Sequence, residues 1–248
     1  MNKNEKLINL IENSKFAVAL TGAGVSTLSG IPDFRGAYNP IWEKYPQDKI
    51  FDIDYFEKDP ELFYGFLKEI LKNKYEPNIC HKTLSYLEKT GKLKAIITQN
   101  IDGLHQIAGS SYVYELHGSI YKNFCMNCKK TIGYEEFLNK IFSNKIPRCE
   151  CGGIIRPNIV FFGEMLPEKD LQLAIQSASC ADLMLVIGTS LVVQPASFLP
   201  MYTYNNNNGK IVVINKNKTY INDKADIVFD DIKSVFEFLN NYFKIKEV

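Results

Sequence analysis

The chain has 248 residues, of which 46% are hydrophobic and 23% are charged. These fractions are those of a folded globular protein and exclude a disordered chain. The formal net charge is +1, from 29 basic and 28 acidic residues, which argues against a dedicated nucleic-acid-binding protein with a basic excess. No apolar run in the sequence approaches the roughly 18 residues that a membrane span needs. We therefore expect a cytoplasmic protein without an export signal.

Short apolar runs alternate with amphipathic patterns along much of the chain. The pattern predicts a helix over 4–13 and a buried strand over 16–20, and residues 205–209 form a predicted polar loop. Further strands are predicted over 94–98, 112–116, 183–187, 212–214 and 226–229, and further helices over 59–71, 78–90, 167–179 and 231–243. Strands that alternate with helices predict the α/β class, with a doubly wound, Rossmann-like parallel sheet.

Two stretches interrupt this alternation. Residues 35–76 are mostly helical in pattern, and residues 119–154 contain a cluster of cysteines. We expect a helical module over 35–76 and a metal-binding module over 119–154, which together form a smaller inserted domain. The Rossmann-like domain then consists of residues 1–34, 77–118 and 155–248.

The first predicted strand runs into a glycine-rich loop, Thr21-Gly22-Ala23-Gly24-Val25-Ser26. Glycines allow the backbone to approach a pyrophosphate, and the following helix offers free N–H groups. The dehydrogenase fingerprint G-x-G-x-x-G fails, because Thr27 occupies the third glycine position and no acid ends a second strand about 20 residues later. A tight strand-to-helix turn is the alternative explanation. The nearby polar residues Ser26, Ser29, Asp33 and Arg35 favour a nucleotide phosphate site.

A series of motifs in one order extends this signal. It runs GAGVSTLSGIPDFR (22–35), TQNIDGLH (98–105), LHG (116–118), two cysteine pairs, FGE (162–164), GTS (188–190) and VQP (193–195). From about Phe16 to Ile232 the chain resembles the sirtuins, the NAD-dependent protein lysine deacylases. The resemblance implies that NAD is a co-substrate and that the acyl oxygen of a modified lysine attacks the ribose carbon that bears nicotinamide. The implied products are free lysine, nicotinamide and O-acyl-ADP-ribose.

The resemblance also implies roles for residues at the predicted strand ends. His117 matches the general base, and an imidazole titrates near neutrality, as proton removal from a ribose hydroxyl requires. With Asn100 and Asp102 it forms the implied catalytic set, and all three also contact NAD. The other implied NAD contacts are Gly22, Ala23, Gly24, Ser26, Thr27, Phe34, Arg35, Gln99, Ile101, Gly188, Thr189, Ser190, Asn215 and Ile232. A simple Asn-Ile-Asp-Gly turn is compatible with the same residues.

Two further segments resemble the sirtuin peptide groove. The family lays its peptide as a strand between the segments that correspond here to 159–164 and 191–195, both expected to be extended. The implied substrate contacts are Val160, Phe162, Gly163, Glu164, Val192 and Val193. Relatives that remove succinyl or malonyl groups carry a Tyr and, three residues later, an Arg in the helix that corresponds to 60–71, whereas this chain has Tyr64 and Leu67. Without that cation we expect acetyl groups, or longer apolar acyl chains, to be preferred over acidic ones.

Four cysteines form two close pairs, Cys125-x2-Cys128 and Cys149-x-Cys151. Four thiolates fit tetrahedral zinc, and because four protein ligands leave no open position, the predicted zinc is structural. Four unrelated reduced thiols are the alternative. The remaining Cys80 and Cys180 fall in helical patterns and are predicted to be small core residues.

The expected function is that of an NAD-dependent protein lysine deacetylase, which yields free lysine, nicotinamide and O-acetyl-ADP-ribose. A mono-ADP-ribosyltransferase, a non-catalytic NAD or ADP-ribose binder and a zinc-ribbon nucleic-acid binder are the alternatives. The expected partners are acetylated proteins or peptides. We expect a monomer that binds neither nucleic acid nor membranes directly.

Overall fold

The structure is a computed structural model and describes residues 2–34, 40–207 and 209–245. The strands are β1 (Ala17–Thr21), β2 (Ala95–Thr98), β3 (Val113–Glu115), β4 (Gly118–Cys125), β5 (Thr131–Ile132), β6 (Ile155–Ile159), β7 (Leu183–Ile187), β8 (Lys210–Ile214) and β9 (Ile227–Phe229). The helices are α1 (Lys3–Asn13), α2 (Pro40–Lys44), α3 (Gln47–Ile50), α4 (Ile53–Lys58), α5 (Pro60–Leu71), α6 (Ile79–Lys89), α7 (Leu104–Ile107), α8 (Tyr134–Ser143), α9 (Glu168–Cys180), α10 (Leu199–Asn207) and α11 (Ile232–Phe243). Within the described ranges, none of these helices is long and apolar enough to cross a bilayer.

The larger sheet is parallel and has the strand order β3-β2-β1-β7-β8-β9. Its central strands are buried along their whole length, which explains their continuous apolar sequences. The chain leaves β1 toward β2 on one side and returns later as β7 on the other. The sheet therefore has a topological switch point at the carboxyl end of β1, where ligands of such sheets bind.

Helices cover both faces of this sheet, as the doubly wound prediction requires. Alternate strand residues point to opposite faces, so Ala17 and Ala19 join one core and Val18 and Leu20 join the other. The first core is completed by apolar side chains of α1, α6 and α11, and the second by those of α9 and α10. The predicted α/β fold class is thus confirmed, with the strands and helices close to their predicted positions.

A second, antiparallel sheet has the order β5-β4-β6. Its core combines aromatic residues of α4 and α5 with apolar residues of α8 and with Cys125 and Cys149. The helical segment and the cysteine segment, which are separate in sequence, therefore share one core. Strand β6 pairs with β4, so residues 155–159 lie in the small sheet. The predicted boundary, which assigned these residues to the Rossmann-like domain, differs from this pairing.

Two local predictions were wrong. Residues 205–207, predicted as part of a polar loop, instead end helix α10. Cys180, predicted as a core residue, is exposed at the end of α9, because the buried side chains of that helix are Ala174, Ser177 and Ala178. Cys80, by contrast, is fully buried as predicted.

Candidate functional site

The carboxyl ends of neighbouring strands bring the predicted site residues to one edge of the large sheet. The glycine loop follows β1, residues 99–102 follow β2, and His117 follows β3 by two residues. Residues 188–190 follow β7 on the other side of β1, and Asn215 follows β8. The predicted site residues between Gly22 and Asn215 therefore converge around the switch point, although most of them are far apart in the sequence.

The glycine loop packs directly against the end of β7. The N–H of Gly24 donates to the carbonyl of Gly188 at 2.9 Å. A Cβ atom at Gly22 would lie 2.8 Å from the oxygen of Gly188, and one at Gly24 would lie 2.8 Å from its Cα. Residues Ala23–Ser29 then form a short 3-10 helix that includes Thr27. Only glycine permits this approach of two backbones, so the glycines shape the floor of the site.

Asn100 and Asp102 are joined through Ser26. The amide of Asn100 donates to Ser26 Oγ at 3.1 Å and to the carbonyl of Gly22 at 3.1 Å. The Ser26 hydroxyl in turn donates to Asp102 Oδ2 at 2.6 Å. The other Asp102 oxygen accepts the N–H of Leu104 at 2.9 Å. Burial raises the pKa of Asp102, although the hydrogen bonds from Ser26 and Leu104 oppose this.

His117 is half-buried, and its Nδ1 lies 2.9 Å from the carbonyl oxygen of Gln99. A carbonyl can only accept, so Nδ1 carries the proton, and in the neutral ring Nε2 keeps its lone pair. Burial lowers the pKa of His117 below its usual value of 6.5, partly opposed by the bond to Gln99. The ring is thus oriented as a neutral base at neutral pH.

Other predicted nucleotide residues lie along the same edge. The Gln99 side chain donates to Thr189 Oγ1 at 2.8 Å, which ties the end of β2 to the end of β7 across β1. Ser190 is exposed beside Thr189. The amide of Asn215 donates to the carbonyl of Asn217 at 2.8 Å. Ile232 begins α11 at the far side of the sheet, where it packs against the first core.

Phe34 stands between the glycine loop and the helical segment. Its ring centroid lies 5.9 Å from that of Trp42, 5.5 Å from that of Phe51 and 6.5 Å from that of Phe162. Phe34 is thus in contact distance of both the helical segment and the predicted lysine-binding segment. The predicted NAD contact Arg35 lies outside the described residues.

The segment 160–164 is anchored to the site at both ends. The N–H of Val160 donates to the carbonyl of His117 at 2.9 Å, and the N–H of Phe162 donates to that of Phe51 at 2.6 Å. Phe162 is 43% exposed although it is a large apolar residue. Gly163 follows with a φ of 94°, in the left-handed region. The segment is irregular, apart from one parallel bridge between Phe162 and Asp52.

Glu164 is held by a buried arginine. The guanidinium of Arg156 donates to both carboxylate oxygens, at 2.9 and 2.7 Å, and Glu164 also accepts the N–H of Phe161 at 2.9 Å. Arg156 is 4% exposed and lies 4.6 Å from the ring centroid of Phe161. This two-point pairing needs the planar fork of arginine, which lysine lacks. The contacts of Glu164 with Arg156 and Phe161 therefore stabilise the turn at the end of this segment.

The segment 191–195 is irregular rather than extended. Leu191 is buried with a φ of 52°, and Gln194-Pro195 is a cis peptide bond. Val192 is 62% exposed, and Val193 is half-buried. The expected extended conformation is therefore absent here. Phe162 and Val192 are exposed apolar side chains of the predicted peptide-binding segments.

Tyr64 and Leu67, on which the predicted acyl selectivity depends, both lie in the core that packs against the small sheet. The Tyr64 hydroxyl donates to the carbonyl of Ile155 at 2.6 Å, so this side chain has a structural partner. A different face of α5, with Phe66 stacked on Trp42 at 5.5 Å, lies toward Phe34. Helix α5 contains no arginine on either face, as the sequence shows.

The four cysteine sulfurs lie together, with Cys125 at the end of β4 and the other three outside the strands. All four Sγ atoms are within 4.8 Å of one another, with 3.5 Å between Cys125 and Cys151 and 3.8 Å between Cys128 and Cys149. Tetrahedral zinc with bonds of about 2.3 Å requires sulfurs roughly 3.8 Å apart, so the donor set fits this ion. Gly153 makes room, because a Cβ atom there would lie 2.7 Å from Cys125 Sγ. Four thiolates would fill all four positions of a tetrahedral ion, so a zinc bound here would be structural.

Sequence reasoning missed several residues that organise the site. Asn78 caps α6 and also donates to the carbonyl of Val25 and to Ser29 Oγ, both at 2.8 Å, which fastens the glycine loop to α6. The buried hydroxyls of Thr21 and Thr98 lie at adjoining strand ends. The only local signal for Asn78 is a polar residue before a helix, and that signal predicts a cap without revealing its second partner.

Comparison with known proteins agrees with this arrangement. The sequence profile of the Sir2 family matches residues 22–195. The NAD-dependent protein deacetylase of Thermotoga maritima is 47% identical over 233 residues, which cover 92% of this chain and 93% of that protein. The enzyme of the same name from Clostridium perfringens is 44% identical over 235 residues, covering 92% of this chain and 94% of that protein.

Solved structures are similarly close over nearly the whole length. A structure described as Sir2 with p53 peptide and NAD+ has a TM-score of 0.89 at 43% identity and covers 98% of each chain. Sir2Tm bound to a propionylated peptide has a TM-score of 0.89 at 42% identity, covering 99% of this chain and 100% of that one. This chain combines the motifs, the sheet with its switch point and the cysteine cluster, and it matches the Sir2 profile and these relatives over most of its length. This protein therefore belongs to the Sir2 family.

Proposed function

We propose that this protein is an NAD-dependent protein lysine deacetylase, which converts an acetyl-lysine protein and NAD to free lysine, nicotinamide and O-acetyl-ADP-ribose. The observation that carries the proposal is His117, held with Nδ1 on the Gln99 carbonyl and Nε2 available as a base, beside Asn100 and Asp102 at the switch point. Relatives at 40–47% identity bear the name of this activity. A related Sir2 structure contains deacetylated p53 peptide and 3'-O-acetyl ADP ribose.

His117 acts as the general base. NAD, when bound, supplies an electrophilic ribose carbon once nicotinamide leaves, and the chain supplies orientation and proton transfer. The neutral imidazole accepts the proton of a ribose hydroxyl at Nε2 while the Gln99 carbonyl stabilises the charged ring through Nδ1–H. The lowered pKa of His117 keeps the ring neutral, and hence able to accept a proton, at neutral pH.

Ile101 and Asp102 hold the carboxamide at the nicotinamide end of the cofactor. Gln99 contacts the ribose, and Asn100 orders a water or the ribose in the same pocket. Ser26 fixes the side chains of both Asn100 and Asp102, so neither has to be ordered when NAD binds. Phe34 covers the same end, and the backbone of Ala23, Gly24 and Thr27 faces the phosphates. Gly188, Thr189, Ser190, Asn215 and Ile232 serve the adenosine half, and Arg35 contacts the phosphates or ribose.

The acetylated peptide lies beside the exposed apolar side chains Phe162 and Val192. Val160 and Phe162 line the lysine tunnel, and Gly163, Glu164 and Val193 shape its rim. An apolar tunnel accepts the neutral acyl-amide and disfavours the ammonium product, because a charged group is costly to desolvate. Loose selectivity for peptide sequence follows, since such groove contacts rest largely on backbone.

The acyl group itself meets an apolar wall. The face of α5 toward Phe34 carries Phe66, packed with Trp42, and no arginine. An acyl carboxylate would be buried there without a cation, which is unfavourable. Acetyl and longer apolar acyl groups are therefore accepted and succinyl groups rejected.

The two inserted segments, residues 35–76 and 119–154, are modules of one small domain, and the zinc of that domain is structural. Action as a monomer in the cytoplasm, without direct binding to nucleic acid or membranes, belongs to the same proposal. Its support is the near-balanced charge and a cysteine cluster that requires reduced thiols.

The experiment is mass spectrometry of an acetyl-lysine peptide incubated with the protein, with and without NAD. Deacetylated peptide that appears only with NAD, together with nicotinamide and O-acetyl-ADP-ribose, is the expected result. ADP-ribosylated protein without deacetylation would instead identify a mono-ADP-ribosyltransferase.

A panel of acyl peptides tests the selectivity. Acetyl, propionyl and longer saturated acyl-lysines should be processed, and succinyl-lysine should react at least about tenfold more slowly, the scale of one uncompensated buried charge or hydrogen bond. Comparable rates on acetyl and succinyl peptides would contradict the proposal that the acyl group meets only apolar side chains.

A further inference from the structure

Beneath the proposed NAD site lies a chain of polar contacts among buried residues. Strands β1 and β2 end side by side, with Thr21 in register with Thr98. The Thr21 hydroxyl donates to Thr98 Oγ1 at 2.9 Å, and the backbone N–H of Asn100 donates to the same oxygen at 3.1 Å. Thr21 is 0% and Thr98 2% exposed, so water does not compete for these hydroxyls.

His105 joins this pair from α7. Its Nε2 lies 3.0 Å from Thr21 Oγ1, and the residue is 1% exposed. A hydroxyl has one proton, and that of Thr21 is used on Thr98, so the Thr21 oxygen accepts from His105 Nε2–H.

The series closes on itself. The side chain of Asn100 donates to Ser26, Ser26 donates to Asp102, and Asp102 accepts the N–H of Leu104 at the start of α7. Leu104 is covalently bonded to His105. The contacts therefore form a closed ring, made up of Thr21, Thr98, Asn100, Ser26, Asp102 and the Leu104–His105 pair.

We propose that Thr21, Thr98 and His105 are positioning residues, and that the ring they close holds the side chains of Asn100 and Asp102 where NAD requires them. All three are buried, with exposures of 0% for Thr21, 2% for Thr98 and 1% for His105, so they act through Asn100, Ser26 and Asp102. The inference rests on the proposed function, because that function is what assigns NAD to Asn100 and Asp102. A ring of buried hydrogen bonds resists the displacement of any one member, since each break leaves a buried polar group unpaired.

The test compares valine and serine at the two threonines. Thr21→Val and Thr98→Val remove a hydroxyl with almost no change of shape, whereas Thr21→Ser and Thr98→Ser retain it. Thr203→Val is the matched control, because Thr203 is 0% exposed and its hydroxyl donates to the carbonyl of Ala178 at 2.7 Å, away from the ring. For each variant, kcat/KM for NAD is measured at saturating acetyl-lysine peptide, together with the melting temperature.

Thr21→Val and Thr98→Val should each lower kcat/KM for NAD about tenfold, the scale of one hydrogen bond whose partner stays buried. The serine variants should stay within about threefold of the wild type. Thr203→Val should lower the melting temperature by a similar amount to the ring variants but leave kcat/KM for NAD unchanged. A purely structural role of the hydroxyls would not produce this difference.

The double variant Thr21→Val/Thr98→Val gives a second readout. Because both substitutions open the same ring, the double variant should lose about tenfold rather than the hundredfold expected for independent sites. A kcat/KM for NAD within twofold of the wild type in Thr21→Val and Thr98→Val, or a hundredfold loss in the double variant, would overturn the proposed positioning role.

Failure of the proposed function gives a different pattern. A folded wild type that binds NAD but does not deacetylate any acyl peptide would refute the deacetylase. The ring would then be tested by NAD affinity in titration calorimetry, where Thr21→Val should bind about tenfold more weakly than Thr203→Val. Equal NAD affinities of the two variants would overturn the proposed positioning role, whichever reaction the protein catalyses.

Discussion

At the scale of single residues, His117 shows how backbone contacts can set the chemistry of a side chain. A lone histidine in a sequence is ambiguous, since a neutral imidazole has two tautomers. Here the carbonyl of Gln99 removes the ambiguity by accepting from Nδ1. Gln99 thus supplies both a side chain that donates to Thr189 and the carbonyl that orients the His117 ring.

We predict that His117→Ala leaves a folded, NAD-binding protein that loses deacetylation by at least a hundredfold, which is the low end of what a positioned base contributes, about 10²–10⁴-fold. Deacetylation is followed by peptide mass spectrometry, and NAD binding by calorimetry. Turnover near that of the wild type would remove His117 from the catalytic role.

His81 carries a second prediction at this scale, because it is buried behind the site next to His105, with ring centroids 4.8 Å apart. Burial lowers the pKa of His81 to about 4, below its usual value of 6.5. The unfolded chain therefore binds more protons between these values, and the contribution of His81 to stability is lost as the pH falls from 6.5 toward 4. His81→Gln should flatten the pH dependence by about 2 kcal/mol between pH 7 and pH 5.

The measurement is urea unfolding of the wild type and His81→Gln at the two pH values. The comparison uses the slope against pH rather than the stability itself, so a general destabilisation by the substitution does not interfere. Identical slopes would show that His81 is not held neutral in the folded protein.

At the scale of secondary-structure elements, the site depends on how the chain passes from β3 of the large sheet to β4 of the small sheet. Gly118 follows His117 with a φ of 74°, and a Cβ atom there would lie 2.0 Å from the carbonyl oxygen of Asn158 on β6. The close pairing of β4 and β6 thus begins directly after the base. The N–H of Val160 on the carbonyl of His117 continues this pairing into the predicted peptide-binding segment.

Gly118→Ala should destabilise the protein by about 3 kcal/mol or more, because it combines an unfavourable φ with a backbone clash, and activity should fall with it. Gly133→Ala is the matched control, since Gly133 has a φ of −62° and an added Cβ would meet nothing within 4 Å. Its effect should stay within about 0.5 kcal/mol. Chemical unfolding of both variants checks the difference, and equal stabilities would contradict it.

At the scale of the whole molecule, the cysteine cluster joins two segments that the chain separates. Cys125 and Cys149 lie in the same core as Phe63 and Tyr64 of α5. A metal that ties the sulfurs together therefore also stabilises the helical segment that packs beside Phe34. Zinc is in this way linked to the NAD site through packing rather than through chemistry.

We predict one zinc per chain, and Cys149→Ser should lose it along with the thermal stability of the small domain. Cys180→Ser is the matched control, because Cys180 is exposed on α9 and is not a member of the cluster. Zinc content by elemental analysis and melting curves give the comparison. A zinc-free protein with full activity and an unchanged melting curve would contradict a structural metal.

Much of this architecture could be predicted from the sequence alone. The strands of the large sheet are buried on both faces, so each is a short continuous apolar run, and alternation with helices implies a parallel sheet. Glycines at 22, 24 and 188 mark backbone contacts that no other residue allows. The spacing of the cysteines predicted their cluster, and the motif order predicted the family.

Only the tertiary structure decided the rest. The strand order, the pairing of β6 with the small sheet, the burial of Tyr64 and the ring through Thr21, Thr98 and His105 all join residues that are distant in the chain. Local patterns report propensity and burial, which depend on neighbours in sequence. A hydrogen bond between Thr21 and His105 depends instead on which strand packs beside which, and this is determined when the whole core closes.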